Sequence, residues 1–418
     1  MESLTAPSDP TPAGDVPAGC GPLIAVGAKS GSLRQQVFEH VRAAGRAARA
    51  DVTRALGISP ATATTLTADL IANGFLREIE SPLRETTRGR PPVALEVVPE
   101  SRLVIGIKLS DEDHTAVLTD FAGNMLANAT LTTPPVRKTT AQLVEETATL
   151  VSALLAAAEH DLTGICAIGV GLSGLVDHAT GMVPWSPLLL AQDVPLRDAI
   201  SARFGLPVHL DNDANVLTLA ELWFGAGRSM AEFAVVTIEQ GVGMGLVLNN
   251  RLFRGTRGMG MELGHTKVRL DGALCRCGQR GCLEGYLADY ALAREAATAL
   301  DRSPRNLLSP QAILETLFSE AKAGNAAALS IFQRAGRYLA MGLANVVQLF
   351  DPDLIILSGA RMRYDYLYAD AVIAEIQTLT LHRSRAPARI EIHAWGDMVW
   401  ARGAAALALS AVTDAALG

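Results

Sequence analysis

Between Gly260 and Glu284 the chain reads GMELGHTKVRLDGALCRCGQRGCLE, and this stretch decides how the rest is read. Three of the five cysteines, Cys275, Cys277 and Cys282, crowd into eight residues, with His265 upstream of them. Five thiols cannot all pair, and in an intracellular protein such crowding points to metal rather than to disulfides. One imidazole and three thiolates are the donors of a tetrahedral zinc site, and four protein ligands leave no open position for a substrate. The expectation is a structural Zn2+ on His265, Cys275, Cys277 and Cys282. Cys20 and Cys166 stand alone and read as buried or inert thiols.

Working outward, Glu262 precedes His265 by three residues, on the same face if the segment is helical, and Glu284 follows Cys282 by two. A metal clip here would gather two carboxylates and an imidazole edge, acceptors that suit a ligand with many hydroxyls. Upstream, Leu210–Asn215 reads LDNDAN, placing Asp211, Asn212 and Asp213 at the end of a strand. Asp213 can act as a general base toward a hydroxyl or simply accept a hydrogen bond from one. Taken alone, the same residues read equally well as a turn.

The surrounding texture is α/β. LVIGIKL (103–109), AIGVGL (167–172), AVVTI (234–238) and LIILSG (354–359) are strand-like runs that alternate with alanine-rich helical stretches. No short-period repeat appears, and about 320 residues suffice for two similar α/β lobes.

Before Pro99 the pattern differs. Residues 1–30, with Pro7, Pro10, Pro12, Pro17 and Pro22 among Gly, Ala and Ser, read as a flexible tail. Residues 33–44 carry Leu33, Val37, Phe38 and Val41 at helical spacing, and a second short helix covers about 50–56 before Gly57. Ser59-Pro60 supplies an N-cap and a first-turn proline for a third helix that runs to about Ala72, with Ala63, Leu66 and Leu70 facing inward. Two strands, 75–80 and 93–97, flank the loop SPLRETTRGRPP. Three helices and a hairpin in about 65 residues make a winged helix-turn-helix over 31–98, whose third helix would enter a major groove. Ser59 can face a phosphate, and Thr62, Thr64 and Thr65 can reach base edges, phosphates or a thymine methyl. Arg88-Gly89-Arg90-Pro91 matches the core of an AT-hook peptide, in which glycine allows close approach and the guanidiniums enter a narrow A·T-rich minor groove. A small helical adaptor and a solvated loop are the alternatives for head and wing.

Composition narrows the classes. The 418 residues are 49% hydrophobic and 19% charged, too apolar for a disordered chain and too long for one ordinary core. No apolar run approaches the ~20 residues of a membrane helix, and the first basic residue is Lys29, so neither a membrane span nor a secretion signal is expected. A cytoplasmic location follows as the expectation. The net charge of −7 hides an asymmetry: residues 29–100 carry ten Lys or Arg against eight acids, and only that segment suits a polyanion.

Together these residues resemble the ROK family of repressors and sugar kinases over roughly residues 30–418. Its zinc signature stands here as Glu262-Leu263-Gly264-His265 followed by CRCGQRGCLE. The resemblance implies an α/β fold: an N-terminal winged helix-turn-helix, then a two-lobed actin-like, ribonuclease H-like domain over 99–418 with the ligand in its cleft. It implies that Asn212, Asp213, Glu262, His265 and Glu284 bind sugar hydroxyls, that Gly174 in GLSGLVD is a sugar-loop glycine, and that the protein is a homodimer or homotetramer. A head of this kind marks the regulator branch, which binds double-stranded operator DNA.

Kinases of that family carry D-x-G-G-T after the first strand, where this chain has Ile105-Gly106-Ile107-Lys108-Leu109-Ser110. The second phosphate loop reads Glu239-Gln240-Gly241-Val242-Gly243-Met244-Gly245, and the adenosine-side turn is Leu357-Ser358-Gly359-Ala360. Ser186-Pro187-Leu188-Leu189 lacks the asparagine of the family's S-P-N-L loop. An eroded nucleotide side beside an intact sugar side predicts binding without phosphorylation, because phosphoryl transfer depends on positioning and charge neutralisation. The expectation is a sugar-responsive transcriptional regulator, a repressor of carbohydrate uptake or catabolism genes, in which sugar favours one closure state of the lobes. The rivals are an ATP-dependent sugar kinase with an added head, and a regulator controlled by a protein partner.

Overall fold

The computed structural model describes residues 19–23, 31–80, 93–299, 310–359, 362, 364–365, 370–381 and 388–418. In the head, serine caps open two helices. Ser32 Oγ accepts from Gln35 N at the start of α1 (Leu33–Ala44), and Ser59 Oγ accepts from Thr62 N at the start of α3 (Pro60–Ala72). Between them α2 (Arg49–Leu56) ends at Gly57 in the left-handed conformation. Val37, Phe38, Val41, Val52, Ala63 and Leu70 are buried among the helices. Strands β1 (Ala47–Ala48), β2 (Leu76–Glu80) and β3 (Val93–Val97) form a sheet in the order β1-β3-β2, with Leu76 opposite Val97. The first helix and last strand fall on their expected limits. Strand β1 was not foreseen, since two alanines carry no strand signal.

The flexible tail expected over 1–30 needs correction at residues 19–23. Cys20 N donates to Arg42 O (3.1 Å), Gly21 N to Trp223 O (2.8 Å) and Leu23 N to Arg228 O (2.8 Å), and the Cys20 side chain is buried. Proline content reports local stiffness, whereas these partners come from far along the chain.

After the head the chain runs through β4 (Leu103–Leu109), β5 (Asp113–Asp120), β6 (Met125–Thr132), α4 (Thr140–Ala158), β7 (Ile165–Leu172), β8 (Leu175–Asp177), β9 (Met182–Trp185), α5 (Leu196–Phe204), β10 (Val208–Asn212) and α6 (Asp213–Phe224). It continues with β11 (Phe233–Ile238), β12 (Val242–Leu248), β13 (Arg251–Phe253), α7 (Glu284–Leu287), α8 (Asp289–Ala299), α9 (Pro310–Lys322), α10 (Ala326–Phe350), β14 (Leu354–Ser358), α11 (Asp370–Leu379), β15 (Arg389–His393) and α12 (Val399–Leu417). All four apolar runs named from the sequence are strands: β4, β7, β11 and β14.

The described residues fall into two compact units. The first holds the head and everything to Ala231, together with Val247–Met259 and Asp397–Gly418. The second holds Glu232–Leu246 and Gly260–Gly396. In the first, the sheet order is β10-β7-β4-β5-β6; β4, β7 and β10 are parallel, while β5 and β6 form an antiparallel meander. In the second, β11, β14 and β15 are parallel neighbours. Helix α4 has the length and composition of a membrane-crossing helix. Its Leu143, Leu150 and Leu154 belong to the core cluster with Ile105, Ile107 and Leu118.

Helix α12 seats on β4 and β7 through a bare patch. Gly106 and Gly169 are register neighbours on those strands. A Cβ on Gly106 would lie 2.1 Å from Ala401 O, and one on Gly169 1.8 Å from Ala404 O. The obstacle is backbone on both sides, so no rotamer can yield. Gly106→Ala is expected to cost about 1–3 kcal/mol through overpacking. A thermal melt checks this: the midpoint should fall by several degrees, and an unchanged midpoint would show that the helix does not rest there.

Candidate metal and ligand sites

In the second unit the quoted stretch folds back on itself. Val268 N donates to Gly281 O (2.9 Å) and Leu283 N to Thr266 O (2.9 Å), which brings the turn around His265 beside Cys282. Gly278 N donates to Cys275 O and Cys275 N to Gln279 O, closing a tight knuckle that presents Cys275 and Cys277 together. The ligand atoms of His265, Cys275, Cys277 and Cys282 all lie within 4.8 Å of one another. Cys277 and Cys282 sulfurs are 3.7 Å apart, and Cys275 Sγ is 3.7 Å from His265 Nδ1. Sulfurs at a tetrahedral ion with a metal–sulfur distance of about 2.3 Å stand about 3.8 Å apart, so the donor set and its spacing fit such an ion.

The carboxylates named from the sequence converge on this cluster. Glu262 Oε2 is 4.0 Å from His265 Nε2, the ring nitrogen opposite the one beside Cys275. Glu284 is buried, with Oε1 3.4 Å from Cys275 Sγ and 3.3 Å from the Tyr290 hydroxyl. Two residues had escaped sequence reading. Lys267 Nζ donates to Cys282 Sγ at 2.9 Å, and Tyr290 OH donates to Glu284 and reaches Cys275. Lys267 sits inside the quoted stretch, yet nothing in a linear reading ties it to Cys282.

In the first unit, LDNDAN is a strand end that passes directly into a helix. Asn212 closes β10 and caps α6, its Oδ1 accepting from Asn215 N (2.8 Å). Asp213 opens α6, and its Oδ2 accepts from Ser173 Oγ at 2.5 Å. Below them Asp211 is fully buried, accepting from Arg254 Nε (2.7 Å) and Asn215 Nδ2 (2.7 Å). Gly174 has φ +127°, and a Cβ there would meet Trp185 O at 2.4 Å, so only glycine fits. Ser173 and Arg254 were not singled out by sequence. The serine lies within GLSGLVD, whereas the arginine is brought in from 43 positions away.

The loop after β4 is closed on itself. Ser110 Oγ donates to Asp113 O (2.5 Å), and Ser110 N donates to His114 Nδ1 (3.2 Å). His114 is fully buried, with Nε2 3.0 Å from Glu146 Oε2, and Lys138 Nζ lies 3.4 Å from the other Glu146 oxygen. Burial is the main cause that holds the His114 pKa below its ordinary value. An Nδ1 that accepts from an amide also requires the neutral ring.

On the head, Ser59, Thr64 and Thr65 are exposed and Thr62 is half-buried. The Thr64 and Thr65 hydroxyls donate to Pro60 O and Ala61 O, and Thr62 Oγ1 pairs with Ser59 Oγ. Helix α3 carries no Lys or Arg. Arg34, Arg46, Arg49, Arg54 and Arg77 are each ion-paired within the head. Arg88, Gly89 and Arg90 lie outside the described residues.

A family model for the ROK family matches residues 104–411. A putative xylose repressor of Caldicellulosiruptor sp. (strain Rt8B.4) is 28% identical over 371 residues, covering 87% of this chain and 91% of that protein. A glucokinase of Streptomyces coelicolor is 32% identical over 268 residues, covering 62% of this chain and 81% of the kinase. Among solved structures, a ROK family transcriptional regulator homologous to the Escherichia coli MLC protein shares the fold with a TM-score of 0.75 at 24% identity, over 92% of this chain and 96% of that one.

A histidine whose folded pKa lies below its unfolded value stabilises the fold above about pH 6.5, and that contribution is lost as the pH falls toward the lowered value. His114 is therefore expected to make the thermal midpoint fall on acidification below about pH 6.5. His114→Asn keeps an acceptor for Ser110 N but cannot titrate, and should give a flatter dependence over that window. Identical pH profiles for the two proteins would show that His114 does not titrate against the fold.

Proposed function

Because the chain belongs to the ROK family, we propose that it is a sugar-responsive, DNA-binding transcriptional regulator, a cytoplasmic repressor of carbohydrate uptake or catabolism genes that binds its sugar without phosphorylating it. The observation that carries this reading is a head of three helices and a three-stranded sheet in the same compact unit as the Asn212–Asp213 turn. The similarity to the xylose repressor spans 87% of the chain, whereas that to the glucokinase spans 62%.

Asn212, Asp213, Glu262, His265 and Glu284 supply the acceptors for sugar hydroxyls, with Gly174 holding the loop that carries Ser173. His265, Cys275, Cys277 and Cys282 would hold zinc, which fixes the stretch from Glu262 to Glu284 and leaves no coordination position for chemistry. In DNA recognition, α3 presents short side chains at Ser59, Thr62, Thr64 and Thr65. With the described head arginines paired to acids or buried, phosphate and minor-groove contacts are assigned to the wing and its Arg88-Gly89-Arg90. Operators bound by such heads are read as paired half-sites by a homodimer or homotetramer.

Support for binding without phosphorylation comes from the loop after β4. A phosphate there needs free N–H donors and a neutralising cation. The Ser110 amide is taken by His114 and its hydroxyl by Asp113 O, and Asp111, Glu112 and Asp113 follow. The kinase reading draws on the 32% identity to the glucokinase and on Asp213 as a base.

The deciding experiment is capture of genomic DNA fragments by the full-length protein, with and without a mixed sugar pool, beside an ATP-turnover assay on the same sugars. Selective capture that changes with sugar, and no turnover, is the expected result. Robust turnover without selective capture makes the protein a kinase, and capture indifferent to every sugar points to a protein partner. Cys277→Ser should lose bound zinc, measured by metal analysis, and the sugar response together. A zinc-free variant that still responds fully contradicts the structural role of the metal.

A further inference from the structure

The Asn212–Asp213 turn and the DNA-binding head belong to one unit, and the elements between them are continuous. Helix α6 starts at Asp213, and its 12 residues span about 18 Å. Its far end meets the head. Trp223 is buried, its carbonyl accepts from Gly21 N, and its ring lies 4.5 Å from the guanidinium of Arg42, which belongs to the last turn of α1.

Arg42 is itself buried. Its Nη1 donates to Thr413 Oγ1 of α12 (2.9 Å), and its guanidinium lies 5.2 Å from the Phe38 ring and 5.9 Å from Phe121. Arg228 ties the same corner, donating to Gly21 O and Ala43 O. Helix α12 is locked to α6, because a Cβ on Gly403 would lie 1.7 Å from Val216 O. The end of α12 then holds the start of α1: Ser32 Oγ donates to Leu417 O (2.7 Å), Gln35 Nε2 to Asp414 Oδ1 (2.7 Å) and Arg34 Nη1 to Ala416 O (3.1 Å).

We propose that α6 and α12 act as one rod that carries ligand state from the Asn212–Asp213 turn to the head, with Arg42 as the positioning residue at the joint. The proposal rests on the reading that Asn212 and Asp213 accept sugar hydroxyls. A hydroxyl bound to Asp213 competes with Ser173 Oγ for Oδ2 and changes how the first turn of α6 is held. Helices in backbone contact cannot shear past each other, so the displacement reaches both ends of α1. At the joint, a guanidinium on aromatic faces can slide without giving up a fixed carboxylate pairing. Among the described residues no carboxylate lies within ion-pair distance of it.

The test uses full-length protein, D-xylose, D-glucose and N-acetyl-D-glucosamine as separate probes, and a DNA duplex that the wild-type protein selects from a random pool. Arg42→Met is expected to keep sugar affinity within about twofold by calorimetry. The ratio of DNA affinities with and without sugar should fall toward one, a loss of about fivefold or more. Thr413→Val, nearly isosteric, should lose part of the ratio. Hydrogen exchange over residues 33–44 should change with sugar in the wild type and not in Arg42→Met. Folded variants that keep the full ratio overturn the proposal. So does a wild-type protein whose exchange over 33–44 is indifferent to a sugar it binds, a result that stands even if Arg42→Met does not fold. If the wild type binds none of the three sugars, or Asp213→Asn leaves binding untouched, the reading of the site fails and the joint with it.

Discussion

Helix α12 lies on β4 and β7 with bare backbone beneath it at Gly106 and Gly169, and bare backbone of its own against α6 at Gly403. Everything else in the first unit refers to that seat. The sheet is covered by the last element of the chain, and the head, which comes first, is held by that element's final turn through Ser32, Arg34 and Gln35. Alanine suits the role twice over: it favours helix and keeps the helix thin enough to approach the strands. The orientation of the head therefore depends on residues more than 370 positions away, as the Arg42–Thr413 bond illustrates.

In the second unit the stretch from Leu263 to Cys282 solves a different problem, that of holding its side chains still with little apolar burial of its own. Between Leu263 and Cys282 the chain has few buried apolar side chains, and its order comes from backbone bonds such as Val268 to Gly281 and Leu283 to Thr266. Lys267 lies beside Cys282, and a divalent ion, were it held by the four donors, would add positive charge to this small volume. With His265 Nδ1 turned to the cysteines, Nε2 faces Glu262, so the same ring joins the clip to a carboxylate.

Much of this was legible in the sequence because the signals are local. Ser59-Pro60 marked one helix start and Gly57 one helix end, and the Cys-x-Cys stretch with His265 named four side chains whose donor atoms the fold gathers within 4.8 Å. LDNDAN was ambiguous between strand end and turn until β10 was seen to run straight into α6. What stayed hidden was decided at long range. Residues 19–23 look like a tail and are pinned by Trp223 and Arg228; Arg42 looks like a surface charge on an amphipathic helix and is buried by Phe121, Trp223 and Thr413. Arg254 and Lys267 acquire their roles only when Asp211 and Cys282 arrive beside them.

Binding a sugar and phosphorylating it draw on different parts of such a protein, and this separates the fates of the two activities. Binding needs acceptors fixed in place: Asn212 caps α6 and Asp213 accepts from Ser173, while in the second unit Glu262 and Glu284 lie beside the His265 and cysteine cluster. Phosphoryl transfer needs donors and positive charge at the nucleotide. The loop after β4 instead has its Ser110 amide occupied and three acids in succession. A unit charge about 4 Å from a like charge costs on the order of 4 kcal/mol at an effective dielectric of 20, so even one of those carboxylates near a phosphate would oppose nucleotide binding. Under the proposed reading, a lobe in that condition would still register a sugar, and what it did with the signal would be set by the elements that join Asp213 to the head.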